Sequence, residues 1–170
     1  MRNRDVADAW ARQARPRAAG SNLSFCGPVL KSYSTAIAEL VALPGGGQGV
    51  ALNSTDYSSS TRRHWWYAKW AVDHRPIVEV WGVDYGKPTV APDEGPRRMA
   101  WAREQIETSL AKAAEAGAKA RRARRPYTRE WHGRRAAELK ANAKRLAEWF
   151  MVYDNEEPDS VRQEGELCSG

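Results

Sequence analysis

Val29-Leu30-Lys31-Ser32-Tyr33-Ser34-Thr35-Ala36-Ile37-Ala38-Glu39-Leu40-Val41-Ala42-Leu43, followed by Pro44-Gly45-Gly46-Gly47-Gln48-Gly49 and Val50-Ala51-Leu52-Asn53, is the stretch on which the fold turns. In an extended chain, Tyr33, Thr35, Ile37, Val41 and Leu43 fall on one side. Leu30, Ser32, Ser34, Ala36, Ala38 and Leu40 fall on the other. The second side is built from small residues, which lets a helix or another backbone approach closely. The Pro-Gly run cannot continue a strand, so the spacing predicts one long strand over 29–43, a hairpin loop, and an antiparallel partner over 50–53.

Upstream, residues 22–27 have strand character and Gly27-Pro28 is a turn signal. Residues 15–20 break the pattern. Residues 4–13 read as a short helix in which Val6 and Trp10, four apart, share one docking face. Downstream, a Ser/Thr run suited to N-capping opens a helix over 59–74, which Pro76 stops. At helical spacing His64, Trp65, Ala68, Ala71 and Val72 gather on one side, and Arg62, Arg63, Trp66, Lys69 and Trp70 on the other. Ile77–Val83 is the clearest strand. Residues 84–96, with three prolines and two glycines, mark a boundary.

Two helices are predicted beyond it. Over 97–117, Met99, Ala102, Ile106, Leu110, Ala113 and Ala114 form a narrow apolar stripe, with Trp101 on the opposite, polar side. Over 128–152, His132, Ala136, Leu139, Ala143, Leu146, Ala147 and Phe150 form a fuller one. The expected class is therefore α+β. A small antiparallel sheet with a packed helix occupies residues 1–90, a basic helical hairpin 91–153, and an acidic, disordered tail 154–170.

The net charge of +6 is unevenly spread: residues 96–153 carry +9 and the tail −5. A field of that kind attracts polyanions. The two cysteines, Cys26 and Cys168, match neither a disulfide framework nor a zinc spacing, so a reduced, cytoplasmic setting without metal or cofactor is expected. No run is apolar enough for a membrane span or a signal peptide, and no membrane partner is expected.

Three groups of residues bear on chemistry. Tyr57, Ser58, Thr61 and His64, with Tyr33, hold the parts of a hydroxyl nucleophile and its base, and Asp56, Asp73 or Asp84 could orient the imidazole only by tertiary contact. The same residues also make a helix cap and a packed core histidine, and the structural reading is the one favoured. Arg62, Arg63, Trp66, Lys69 and Trp70 interleave indoles with cations, the combination that stacks unpaired bases while neutralising phosphate. The alternative is that the C-terminal helices cover one or both tryptophans, and burial of at least one is expected. Lys119, Arg121, Arg122, Arg124 and Arg125, with Pro126 after them, form a run with no acid inside it, read either as a phosphate footprint or as a solvated helix end.

Val6 to Trp10, Ser24-Phe25-Cys26-Gly27, Leu30, Ser32-Tyr33-Ser34-Thr35, Ile37-Ala38, Tyr57-Ser58, Thr61 and His64 resemble a family of small bacteriophage and prophage proteins. Its pattern is roughly W…(S/N)xxFxGxxLxSYxTxIA…(V/L)xxxxYSxxTxxH. The resemblance spans about residues 6–75 and implies a phage setting, a bacterial host cytoplasm and a shared α/β core, with no chemistry attached. Cys26 stands where that pattern often has an acidic or small residue. The leading expectation is a phage accessory protein that binds nucleic acid through its basic aromatic surface. A protein-binding modulator of a host enzyme or defence complex is the second, and a Ser/Thr-His hydrolase or transferase the third.

Overall fold

A computed structural model describes residues 1–83, 89–92 and 96–150. The expected acidic tail, Cys168 and Asp84 lie outside the described residues. The chain runs α1 (Asn3–Ala11), β1 (Arg17–Ala19), β2 (Leu23–Cys26), β3 (Val29–Ser32), β4 (Thr35–Ala42), β5 (Gln48–Asn53), α2 (Ser59–Ala71), β6 (Ile77–Val80), α3 (Pro96–Arg122) and α4 (Pro126–Phe150). It is an α+β fold. Met1–Ala91 forms one unit around the sheet, and the helical pair from Pro92 onward forms a second.

The six strands lie in sequence order, β1 through β6. The first five pair antiparallel, whereas β6 lies parallel to β5, with Val50 beside Ile77 and Asn53 beside Val80. The departure from an all-antiparallel sheet has a simple cause. The chain leaves β5, crosses through α2 and comes back running the same way, and only such a crossover can join neighbouring parallel strands.

The long strand expected over 29–43 is instead two. Ser32 pairs directly with Thr35, so Tyr33-Ser34 is a two-residue hairpin link. No glycine, proline, asparagine or aspartate marks it, and alternation alone cannot show where a strand doubles back. A bulge follows at once. Leu30 faces Ala38 and Lys31 faces Ala36, which leaves Ile37 as the extra residue, fully buried. β1, three residues in what reads as a break, is also absent from the sequence expectation.

Register explains the core. Leu23, Phe25, Leu30, Ala38, Leu40, Val50 and Leu52 share one sheet face, and Val6, Ala7 and Trp10 of α1, Ala68 of α2 and its C-cap Val72 close over it. The predicted Val6–Trp10 face docks as expected, both residues being fully buried, and the Trp10 indole N–H donates to the Pro28 carbonyl at 2.7 Å. α1 ends in a left-handed residue, Gln13 (φ 48°). Its N–H donates to the Trp10 carbonyl and that of Ala14 to the Ala9 carbonyl, the bond pattern of a Schellman cap. The Gln13 side-chain amide secures the cap by donating to the Trp10 and Gly27 carbonyls. On the other sheet face the Glu39 carboxylate accepts the N–H groups of Val90 and Ala91 at 2.8 and 2.9 Å.

In the second unit α3 and α4 pack as a hairpin, with Leu139, Ala143, Leu146 and Phe150 of the expected α4 stripe buried. The α3 stripe is rotated from its predicted position. Leu110 is exposed and Ile106 half-buried, while Ala102, Gln105, Ser109, Ala113 and Ala116 are buried. Hydrogen bonding decides that rotation: the Ser109 hydroxyl donates to the Leu139 carbonyl at 2.8 Å and accepts from Asn142 Nδ2 at 3.2 Å. A satisfied polar pair between small residues lets the helices approach, and leucine on that line would hold them apart. Trp101 turns its ring edge-on to Phe150 with centroids 5.2 Å apart.

Candidate functional site

The hairpin link between β3 and β4 brings Ser32 to the N-terminal half of α2, where Ser58 caps the helix by accepting the Thr61 N–H at 3.5 Å. The hydroxyls and the histidine form one hydrogen-bonded chain. The Asn22 N–H donates to Asn3 Oδ1 at 3.4 Å, which turns the Asn3 amide nitrogen toward His64 Nε2 at 3.0 Å. Nε2 therefore accepts, the ring proton sits on Nδ1, and Nδ1–H donates to Ser32 Oγ at 2.7 Å. The Ser32 hydroxyl passes its own proton on to Thr61 Oγ1 at 3.4 Å, which also accepts from Ser58 at 3.4 Å.

The direction of this chain matters chemically. A serine that receives the imidazole proton is not deprotonated by that imidazole, so His64 acts here as a strut between α1, β3 and α2. Burial, with a smaller push from the Arg63 charge, holds its pKa below the usual histidine value and keeps it neutral. His64, Thr61 and Ser32 are 4%, 6% and 1% exposed, a sealed interior.

Of the five sequence-derived catalytic candidates, the fold gathers Ser58, Thr61, His64 and Tyr33, whose ring lies 6.1 Å from that of His64. Tyr57 stands apart, packed on the core, and burial pushes its phenol pKa up. Among the described residues no aspartate orients the imidazole. Asp56 faces Arg62 at 3.7 Å and Asp73 faces His74, while Asn3 takes the orienting place. Asn3 and Ser32 are missed by sequence reasoning, since partners 61 and 32 residues distant leave no spacing signal.

The cationic face of α2 is wet. Trp66 and Trp70 are 42% and 61% exposed, against the expectation that at least one is buried. The core-facing ring of this helix is Trp65, half-buried beside the core cluster, and Trp66 meets it edge-on at 5.0 Å. Lys69 Nζ lies 4.9 Å from the Trp65 centroid and 5.6 Å from that of Trp66. Arg62 and Arg63 are exposed, and the Arg62 pair with Asp56 is a solvated one worth little.

The hairpin tip carries the second basic cluster. Lys119 pairs with Glu115 one turn back, at 2.6 Å. Arg121, Arg122, Arg124 and Arg125 are exposed and have no ion-pair partner among the described residues. Pro126 starts α4, where its missing N–H costs nothing. Tyr127 (72% exposed) and Trp131 (49%) follow on one helix face beside this run. Sequence reasoning missed both, although their spacing of four was the available signal.

No protein-family model, curated protein or solved structure matches the chain. Among the described residues there is no cluster of three or more metal-ligating side chains, and no helix long and apolar enough to cross a membrane.

Proposed function

We propose that the protein binds nucleic acid as an accessory factor in a phage or prophage setting. The observation that carries the reading is the outer face of α2, where Trp66 and Trp70 stand in solvent with Arg62, Arg63 and Lys69 around them. Folding does not need two exposed indoles, and burying them would have been favourable. Rings set among cations match a polyanion whose bases also have flat faces to offer. The arginines of the hairpin tip add a second cationic patch of the same character. Hydrolase chemistry is less well supported, because the His64 proton is directed at Ser32 and the group is sealed. The protein-binding alternative loses Trp101 as a spare contact, since its ring meets Phe150.

Salt titration tests the reading. If Arg62, Arg63 and Lys69 each neutralise one phosphate of a single strand, log K falls against log salt with a slope of about −2 from this face alone. Arg62→Gln with Arg63→Gln should make the slope shallower by about 1.4. Binding that does not change between low and high salt removes the reading.

A further inference from the structure

Tyr33 and Gly27 hold the same place in two successive hairpins. Each is the first residue of a two-residue link, between Cys26 and Val29 in one case and Ser32 and Thr35 in the other. Their φ angles are +52° for Gly27 and +55° for Tyr33. Glycine adopts this conformation freely, whereas a side chain makes it costly. Among the described residues the other non-glycine residue with positive φ, Gln13, is compensated by the two hydrogen bonds of its side chain. Tyr33 donates its backbone N–H to the Asn22 carbonyl at 2.8 Å, but its side chain makes no hydrogen bond among the described residues. Its ring is half in solvent.

A left-handed backbone kept at a residue whose half-exposed side chain makes no hydrogen bond points to use of that side chain itself. The ring begins a run of aromatics along α2. Tyr33 and His64 are 6.1 Å apart, His64 and Tyr67 6.3 Å, Tyr67 and Trp70 6.5 Å, and Trp70 and Trp66 5.8 Å, centroid to centroid. Arg62, Arg63 and Lys69 are carried on the same helix. We propose that Tyr33, Trp66 and Trp70 form a stacking track for unpaired bases, so that the ligand is single-stranded nucleic acid and Tyr33 is one of its contact residues. This rests on the nucleic-acid reading above and narrows it. A duplex hides its base faces within its own stack and offers such rings only backbone, whereas a single strand offers every face.

The test uses the full chain, a labelled oligodeoxythymidylate and a blunt DNA duplex of equal length, with affinity read by fluorescence anisotropy at fixed low salt. The parent protein is expected to prefer the single strand. Tyr33→Gly should melt at or above the parent temperature yet bind the strand at least about fivefold more weakly, the loss of one base stack. Tyr33→Asn, also tolerant of a left-handed backbone, should bind as weakly as Tyr33→Gly, and Tyr33→Phe should bind like the parent. Equal affinity for strand and duplex, or parent-like binding by both Tyr33→Gly and Tyr33→Asn, overturns the stacking track while salt-dependent binding stands. A lower melting temperature in both variants overturns the strain argument. Absence of binding to either probe overturns this proposal together with the broader one.

Discussion

His64 illustrates how much a single proton decides. The imidazole has one donor and one acceptor, and the surroundings use both: Asn3 supplies an N–H to Nε2, and Ser32 receives the proton on Nδ1. A second proton would set two donors face to face at Asn3, next to the Arg63 charge and in a site closed to water. The folded pKa is therefore lowered. Between that value and the ordinary 6.5, the unfolded chain binds more protons than the folded one, so stability is fully present above about 6.5 and is lost as the pH falls through the window. Melting temperatures measured from about pH 8 to about pH 5 should fall on the acid side, and His64→Gln should flatten that slope. His74 is exposed and His132 half-buried, and neither bridges elements in this way. A slope unchanged in His64→Gln would show that another group carries the pH dependence.

At the scale of elements, α1 is the piece whose loss the core would feel most. Nine residues cannot hold a helix alone, so α1 exists because Val6, Trp10 and their alanine neighbours are buried on the sheet. Trp10→Ala should cost about 3–5 kcal/mol, chiefly from the cavity, since the Pro28 carbonyl loses the indole N–H but keeps the Leu40 N–H at 3.0 Å. Trp10→Phe refills most of the volume and should cost about 1–2 kcal/mol. Urea unfolding of both variants separates packing from the hydrogen bond. Parent-like stability of Trp10→Phe would show that the indole N–H carries nothing, and equal losses would show that the buried ring volume carries nothing. This helix was legible in the sequence because its two large apolar residues are four apart. α2, α4 and β6 were legible for similar reasons of period and punctuation. The Tyr33-Ser34 link was not, because a tyrosine stands where turn chemistry asks for glycine. Nor was the buried line of α3, where a serine hydroxyl bonded to Asn142 outranks the exposed Leu110. Legibility failed in the site for the same reason. The cap, the core histidine and the basic face each follow from local spacing, but Asn3 meets His64 only once the sheet has formed.

The whole molecule carries its charge unevenly, and the unevenness is concentrated where the chain has least to fold. Arg121, Arg122, Arg124 and Arg125 stand on the last turn of α3 and the link into α4, exposed and without ion pairs among the described residues. Their proximity to the carbonyl end of α3 is mildly favourable, but that interaction satisfies at most the first two. The rest of the repulsion between neighbouring guanidinium groups is unrelieved within the hairpin, and an external anion is what would relieve it. Replacing the four by glutamine should leave the hairpin folded, because its stability comes from Leu139, Leu146, Trp149 and Phe150 and from the Ser109–Asn142 pair. If all four touch phosphate, the same change should make the slope of log K against log salt shallower by about 3 for a single strand. Tyr127→Ala with Trp131→Ala should weaken affinity while leaving that slope nearly unchanged, since stacked rings release no counterions. Measuring slope and affinity separately thus divides the tip into phosphate contacts and base contacts. An unchanged slope in the four-glutamine variant would remove the phosphate contacts from the tip and leave its arginines as a solvated helix end.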